Sequence, residues 1–141
     1  VDHIVPIGSA NVVRPGRDAT IATFSLMVGK ALEAAEALAG EGIDVEVIDL
    51  RSIRPLDMDT ILTSVQKTNR LITVEEGWST AGIGAEISAT VMERAFDFLD
   101  APVKRVGGSD VPLPYAANLE KLALPQTETI ADAARQLCSS N

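Results

Sequence analysis

A single cysteine, Cys138, and a single histidine, His3, stand in a chain of 141 residues. One cysteine excludes an internal disulfide, and neither residue type is numerous enough for a thiolate-rich or histidine-based metal cluster. Aromatic residues make up only 4%, so the core must come mainly from Ala, Val, Ile and Leu. That favours layered α/β packing over an aromatic-rich β-sandwich. Basic residues are also scarce, 12 against 20 acidic ones for a net charge of -8, which argues against a general binder of phosphate backbones. No apolar run approaches the roughly 18 to 20 residues needed to span a bilayer. Neither a nucleic acid nor a membrane is therefore expected as a partner. The first residue, Val1, is not an initiator methionine and no signal-peptide pattern follows, so a fragment or processed product is expected.

What is present suffices for one domain, since 46% of the residues are apolar and can cover a sizeable core. Residues 1–18 carry Pro6, Gly8, Pro15 and Gly16 and read as a lead-in segment or linker. The domain proper is placed at 19–141. Ala19 to Phe24 is apolar or β-tolerant throughout, which suits a strand covered on both faces. Ser25 offers an N-cap, and Val28, Ala31, Leu32, Ala35, Leu38 and Ala39 recur at helical spacing up to Gly40–Gly42. Ile43 to Asp49 returns to strand character, completing a βαβ unit. Asp57 can cap a helix from Met58 to about Lys67, and Leu71 to Val74 is a third buried strand. After the loop from Glu75 to Gly84, a helix to about Phe98 carries two apolar stripes, Ile83-Ile87-Val91-Ala95-Phe98 and Ala85-Ala89-Met92-Phe96, which predict a well-buried helix. Val103 to Val106 alternates apolar with basic, as an edge strand does. A long irregular stretch from Gly107 to Pro125 suits a functional or interface loop. A last helix from about Thr127 to Cys138 buries Ile130, Ala133, Ala134 and Leu137.

Several constellations bear on chemistry. Gly82-Ile83-Gly84 lies where a phosphate-binding turn would sit between strand and helix, but Ile87 occupies the place where the dinucleotide pattern needs a small residue, and no Walker lysine follows. A tight turn is the better reading. Glu75 and Glu76 adjoin at a strand end, where paired carboxylates can do acid–base work only if burial separates their pKa values. Arg51 and Arg54 could hold a carboxylate or phosphate, and a salt bridge at a subunit or domain interface is preferred. Trp78 and Tyr115, both expected in loops, suit interface anchors. His3 and Cys138 have no partner that would make a dyad or triad, so no self-sufficient active site, cofactor site or metal site is expected.

Val45 to Asp57 (VEVIDLRSIRPLD), Asn69 to Ile87 (NRLITVEEGWSTAGIGAEI) and Leu99 to Pro125 (LDAPVKRVGGSDVPLPYAANLEKLALP) closely resemble, in order and spacing, the C-terminal domain of pyruvate dehydrogenase first-component beta subunits. The VPIGSANVVRPG stretch resembles the segment that joins it to the preceding pyrimidine-binding domain of that family. The resemblance implies a three-layer α/β/α fold of the transketolase C-terminal type, with a mostly parallel sheet of about five strands and one antiparallel edge strand. It implies a parent α2β2 enzyme that decarboxylates pyruvate and acetylates the lipoyl group of the dihydrolipoyl acetyltransferase. Thiamine diphosphate and magnesium are then held by the alpha subunit and the preceding beta domain, and none is expected on this piece, which alone is expected to be inactive.

The partners implied are the alpha subunit, a second beta subunit across a two-fold axis and the acetyltransferase's subunit-binding domain. Asp110, the loop around it and the terminal carboxylate of Asn141 are expected to contribute to docking, and the acidic balance suits a basic module. Branched-chain 2-oxoacid and acetoin dehydrogenase beta subunits are the alternatives within the family. An autonomous anion-binding module using Gly82, Gly84, Glu75 and Arg51 is the alternative outside it. The compartment expected is a bacterial cytoplasm, or a mitochondrial matrix in a eukaryote.

Overall fold

A computed structural model of the chain describes residues 8–78, 82–108 and 125–139. The elements are β1 (Asn11–Arg14), β2 (Ala19–Thr23), α1 (Met27–Ala39), β3 (Val45–Asp49), α2 (Met58–Thr68), β4 (Leu71–Trp78), α3 (Ile83–Arg94), a 3-10 turn (Phe96–Phe98), β5 (Lys104–Gly108) and α4 (Thr127–Ser139). They form one five-stranded sheet in the order β1-β3-β2-β4-β5. Pairing is parallel throughout except for β1, which runs antiparallel to β3 at one edge. This is the fold class that the sequence implies.

Alternation along the strands sends side chains to two cores. Ile21, Val45, Val47, Ile72, Val74 and Val106 meet α1 and α4 on one face. Ala22, Ile48 and Leu71 meet α2 and α3 on the other. All five residues of β2 are buried, as a central parallel strand covered on both faces requires. Asp57 caps α2 by accepting the Thr60 N–H at 3.1 Å, and α4 buries Ile130, Ala133, Ala134 and Leu137 together with Ala131. β5 forms the other edge among the described residues, with Lys104 and Arg105 exposed and Val106 buried.

Four local expectations change. Within 1–18, Asn11–Arg14 pair with β3, Asn11 opposite Asp49, with a register shift between Val12 and Arg14. The turn that follows depends on Gly16, whose missing Cβ would stand 2.3 Å from the Val45 carbonyl carbon. Ser25 does not cap α1 with its side chain; it takes a φ of 58°, and its carbonyl accepts the Val28 N–H at 3.2 Å. The α1 core face is rotated from the expected stripe, because Met27 and Ala34 are buried while Ala39 is exposed. β4 continues through Glu75 and Glu76 to Trp78, so those residues belong to a strand rather than to the loop.

The helix before Phe98 also departs from expectation. α3 stops at Arg94, and only its first stripe is inside, through Ile87, Val91 and Ala95. Met92 and Phe96, on the second stripe, are 48% and 59% exposed, and Phe98 is 41% exposed. Two stripes in the sequence thus mean one face packed on the sheet and one apolar face turned outward.

Candidate functional site

In an open α/β sheet the place for a ligand is outside the carboxyl ends of the parallel strands. Here that edge is built from the end of β4, the start of α3 and the 50–57 turn after β3. Glu75 is 5% exposed. Its carboxylate accepts the N–H of Ile83 at 3.0 Å and lies 3.4 Å from that of Gly84. An internal anion therefore occupies the positive end of α3. The two glycines make room for it: a Cβ on Gly82 would stand 2.3 Å from Glu75 Oε1, and one on Gly84 would stand 2.5 Å from Thr73 Oγ1. Thr73 Oγ1 is buried without a hydrogen-bond partner among the described residues.

Burial pushes the Glu75 carboxyl above its ordinary value, against the lowering effect of the Gly84 and Ile83 N–H groups and the Arg105 charge. Glu76, the next residue, is half-buried. Successive strand residues point to opposite faces, so the two carboxylates do not form an acid–base pair. A diphosphate placed at Gly82–Gly84 would meet the Glu75 carboxylate. Among the described residues no three His, Cys, Asp or Glu side chains gather as metal ligands. The described residues at this edge therefore do not fit a magnesium–diphosphate group.

Arg51 and Arg54 flank the edge on the 50–57 turn, both exposed. Arg51 has a φ of 60°, held by its N–H donating to the Asp49 carboxylate at 3.0 Å. Arg54 precedes the cis peptide to Pro55 and lines a cleft of about 490 Å³ with Ile53, Leu56, Met58, Ile83 and Glu86. The structure thus brings Arg54 and the Gly82–Gly84 turn together around one cleft. Trp78 ends β4, its backbone registered with Gly108. His3, Asp110, Tyr115 and Asn141 lie outside the described residues. Cys138 is half-buried, its Sγ 3.8 Å from the Asp18 carbonyl, and burial raises its thiol pKa, which disfavours a thiolate nucleophile.

A second polar cluster escaped the sequence reading. Glu46, the second residue of β3 and 2% exposed, accepts the Ser64 hydroxyl at 2.6 Å, the Gly16 N–H at 3.1 Å and the Lys67 ammonium. Thr20 Oγ1 extends the chain of hydroxyls to Ser64 at 2.6 Å and to Thr68 at 2.7 Å. Burial raises the Glu46 carboxyl, but the bonds from Lys67, Ser64 and Gly16 together hold it below its ordinary value. The available signal was a charged residue between two valines of a strand, followed by Ser64 and Lys67 three apart on one helix face. Every Glu46 oxygen is satisfied, so the cluster fastens α2 to the sheet.

The sequence matches the family described as "Transketolase, C-terminal domain" over residues 8–130. It is 57% identical, over 99% of this chain and 39% of the relative, to "Pyruvate dehydrogenase E1 component subunit beta, mitochondrial" of Dictyostelium discoideum. It is 62% identical to "Pyruvate dehydrogenase E1 component subunit beta-1, mitochondrial" of Arabidopsis thaliana, over 95% of this chain and 37% of the relative. Identity is 56% to "Pyruvate dehydrogenase E1 component subunit beta" of Rickettsia felis, over 95% and 41%. The chain thus spans about two fifths of the length of these curated relatives. Among solved structures, "Split gene transketolase, inactive beta4 tetramer" superposes with a TM-score of 0.85 at 28% identity, over 96% of this chain and 44% of that one.

Proposed function

The chain belongs to the transketolase C-terminal domain family, and from that membership we propose that it serves as the C-terminal assembly and docking domain of a pyruvate dehydrogenase first-component beta subunit. The observation that carries this reading is 57% identity sustained over 99% of the chain. The parent polypeptide would place a pyrimidine-binding domain before this one, joined through the residues that precede β1. As an α2β2 enzyme it would decarboxylate pyruvate and acetylate the lipoyl group of the acetyltransferase.

The domain's own part in that chemistry is positional. Thiamine diphosphate and magnesium belong to the alpha subunit and the preceding beta domain. The Glu75 carboxylate, seated where a phosphate would otherwise bind, supports a role without cofactor contact. Arg51, Arg54, Trp78, Asp110, Tyr115 and Asn141 are the residues we assign to contacts with the alpha subunit, a second beta subunit or the acetyltransferase. The outward apolar surface of α3 and the 3-10 turn after it, with Met92 and Phe96, favours assembly over an autonomous anion-binding module. The relatives are mitochondrial and bacterial, so a bacterial cytoplasm or a mitochondrial matrix is the proposed compartment.

Calorimetric titration with the acetyltransferase's subunit-binding domain, at low and high salt, tests this reading. Salt-sensitive binding, weakened by Asp110→Lys, with no heat from thiamine diphosphate is the expected result. Saturable thiamine diphosphate binding to the 141-residue chain would overturn it.

A further inference from the structure

The chain has three methionines, and the fold gives their thioethers very different surroundings. Met27 starts α1 and is 1% exposed inside the first core. Met58 starts α2 and is half-buried against the second core. Met92 lies on α3, 48% exposed, and belongs to neither core. The thioether that a dissolved oxidant reaches most freely is therefore the one on which packing depends least.

The neighbours of Met92 give its oxidation a consequence. Phe96, four residues on in the 3-10 turn, is 59% exposed. Both side chains line a cleft of about 490 Å³ together with Leu99, Pro102 and Val103. Ser88 lines it too, one turn before Met92 on the same side of the helix. A thioether continues this apolar surface, whereas a sulfoxide breaks it with a polar oxygen. The Ser88 hydroxyl offers that oxygen a donor within the same cleft. Ile87 and Val91, which hold α3 on the sheet, are fully buried, so the change stays on the surface.

We propose that Met92 is a site of reversible oxidation by peroxides, which turns the outward apolar surface beside α3 polar while the domain stays folded. The sulfur lone pair attacks one peroxide oxygen, an S–O bond forms as the O–O bond breaks, and the other oxygen leaves as water. The thioether loses two electrons and hydrogen peroxide gains them. In the return step two thiols supply two electrons, become a disulfide and release the sulfoxide oxygen as water. Where this surface serves as an assembly contact, which rests on the function proposed above, oxidation of the unassembled chain opposes association. The oxidation itself does not depend on that reading.

Limited hydrogen peroxide treatment of the 141-residue chain, carrying Cys138→Ser so that no thiol competes, tests the proposal by peptide mass spectrometry, hydrophobic-interaction chromatography and thermal melting. Met92 is expected to gain one oxygen on the order of tenfold faster than Met27, and faster than Met58. The oxidised chain should elute earlier from the hydrophobic column, keep its melting temperature and regain its retention after methionine sulfoxide reductase with dithiothreitol. The same chain with Met92→Leu should hold its retention throughout. Oxidation of Met27 or Met58 as fast as Met92 would overturn the proposal. So would a melting temperature that falls as Met92 is oxidised, or an equal loss of retention with Met92→Leu. Association of the longer beta polypeptide with its partners is a separate readout. If oxidation left it unchanged while Met92 reacted as expected, the assembly role of this surface would fail and the oxidation site would stand.

Discussion

Glu75 accepts the backbone N–H of Ile83 at 3.0 Å across eight residues of sequence, so the strand β4 caps the helix that follows it. The capping carboxyl is buried, and burial raises its pKa despite the N–H groups and the Arg105 charge.

A group whose pKa is raised by folding stabilises the fold fully below its unfolded value and loses that contribution as pH rises through the folded value. The unfolding free energy should therefore decline from the ordinary glutamate value of 4.5 upward, and Glu75→Gln should remove that decline. Urea denaturation of both proteins from pH 4 to about pH 8 checks this. A variant with the same slope as the parent would place the titration elsewhere.

Three glycines should respond to alanine with opposite signs. Gly29 lies inside α1 with nothing within 4 Å of a built Cβ, so Gly29→Ala should stabilise by about 0.5 to 1 kcal/mol. Gly82→Ala and Gly84→Ala force a methyl to within 2.3 Å of the Glu75 carboxylate and 2.5 Å of Thr73 Oγ1, and each should cost about 1 to 3 kcal/mol. Thermal melts of the three single variants decide it.

Glu46 should show the reverse pH dependence. Although burial raises it, its bonds from Lys67, Ser64 and Gly16 leave its pKa depressed, so its stabilisation is present above the ordinary value and is lost as pH falls through the folded one. Glu46→Gln should flatten the acid limb of the stability curve. Lys67→Met should cost only about 1 kcal/mol, since the lysine side chain is 48% exposed and water screens the pair, and the Ser64 and Gly16 bonds remain. A loss for Lys67→Met as large as for Glu46→Gln in the same urea series would show that the ion pair, not the hydroxyl network, holds α2.

The βαβ unit was legible in the sequence because its signals are local: an apolar run, a helical period, a second apolar run and, beyond it, the cap at Asp57. What escaped depends on contacts far apart in sequence. The four residues of β1 carry no period of their own and become a strand only by pairing with β3. Ser25 suits a cap by residue type, yet the positive end of a helix can be met by other means, and a positive φ is invisible to composition. Gly82 and Gly84 read as a strand-to-helix turn and form one, but the anion they accommodate is a side chain from the preceding strand. The resemblance supplied the antiparallel edge, which periodicity alone did not.

The two stripes on α3 and the turn after it differ in burial, so substitutions on them should act on different quantities. Ile87 is fully buried against the second core, so Ile87→Ala should cost about 2 to 5 kcal/mol. Met92 and Phe96 are 48% and 59% exposed beside a cleft of about 490 Å³ that also contains Leu99 and Pro102. Met92→Ser with Phe96→Ser should therefore change the stability of the 141-residue chain by no more than about 0.5 kcal/mol per site. If the outward face is covered in the assembled enzyme, the same pair of changes in the longer beta polypeptide should weaken association with its partners, because water-exposed apolar area lost at a contact removes its driving force. Sedimentation equilibrium of the assembled enzyme measures this. An unchanged distribution, alongside an unchanged urea midpoint of the 141-residue chain, would assign assembly to other surfaces and leave the α3 stripe as plain surface.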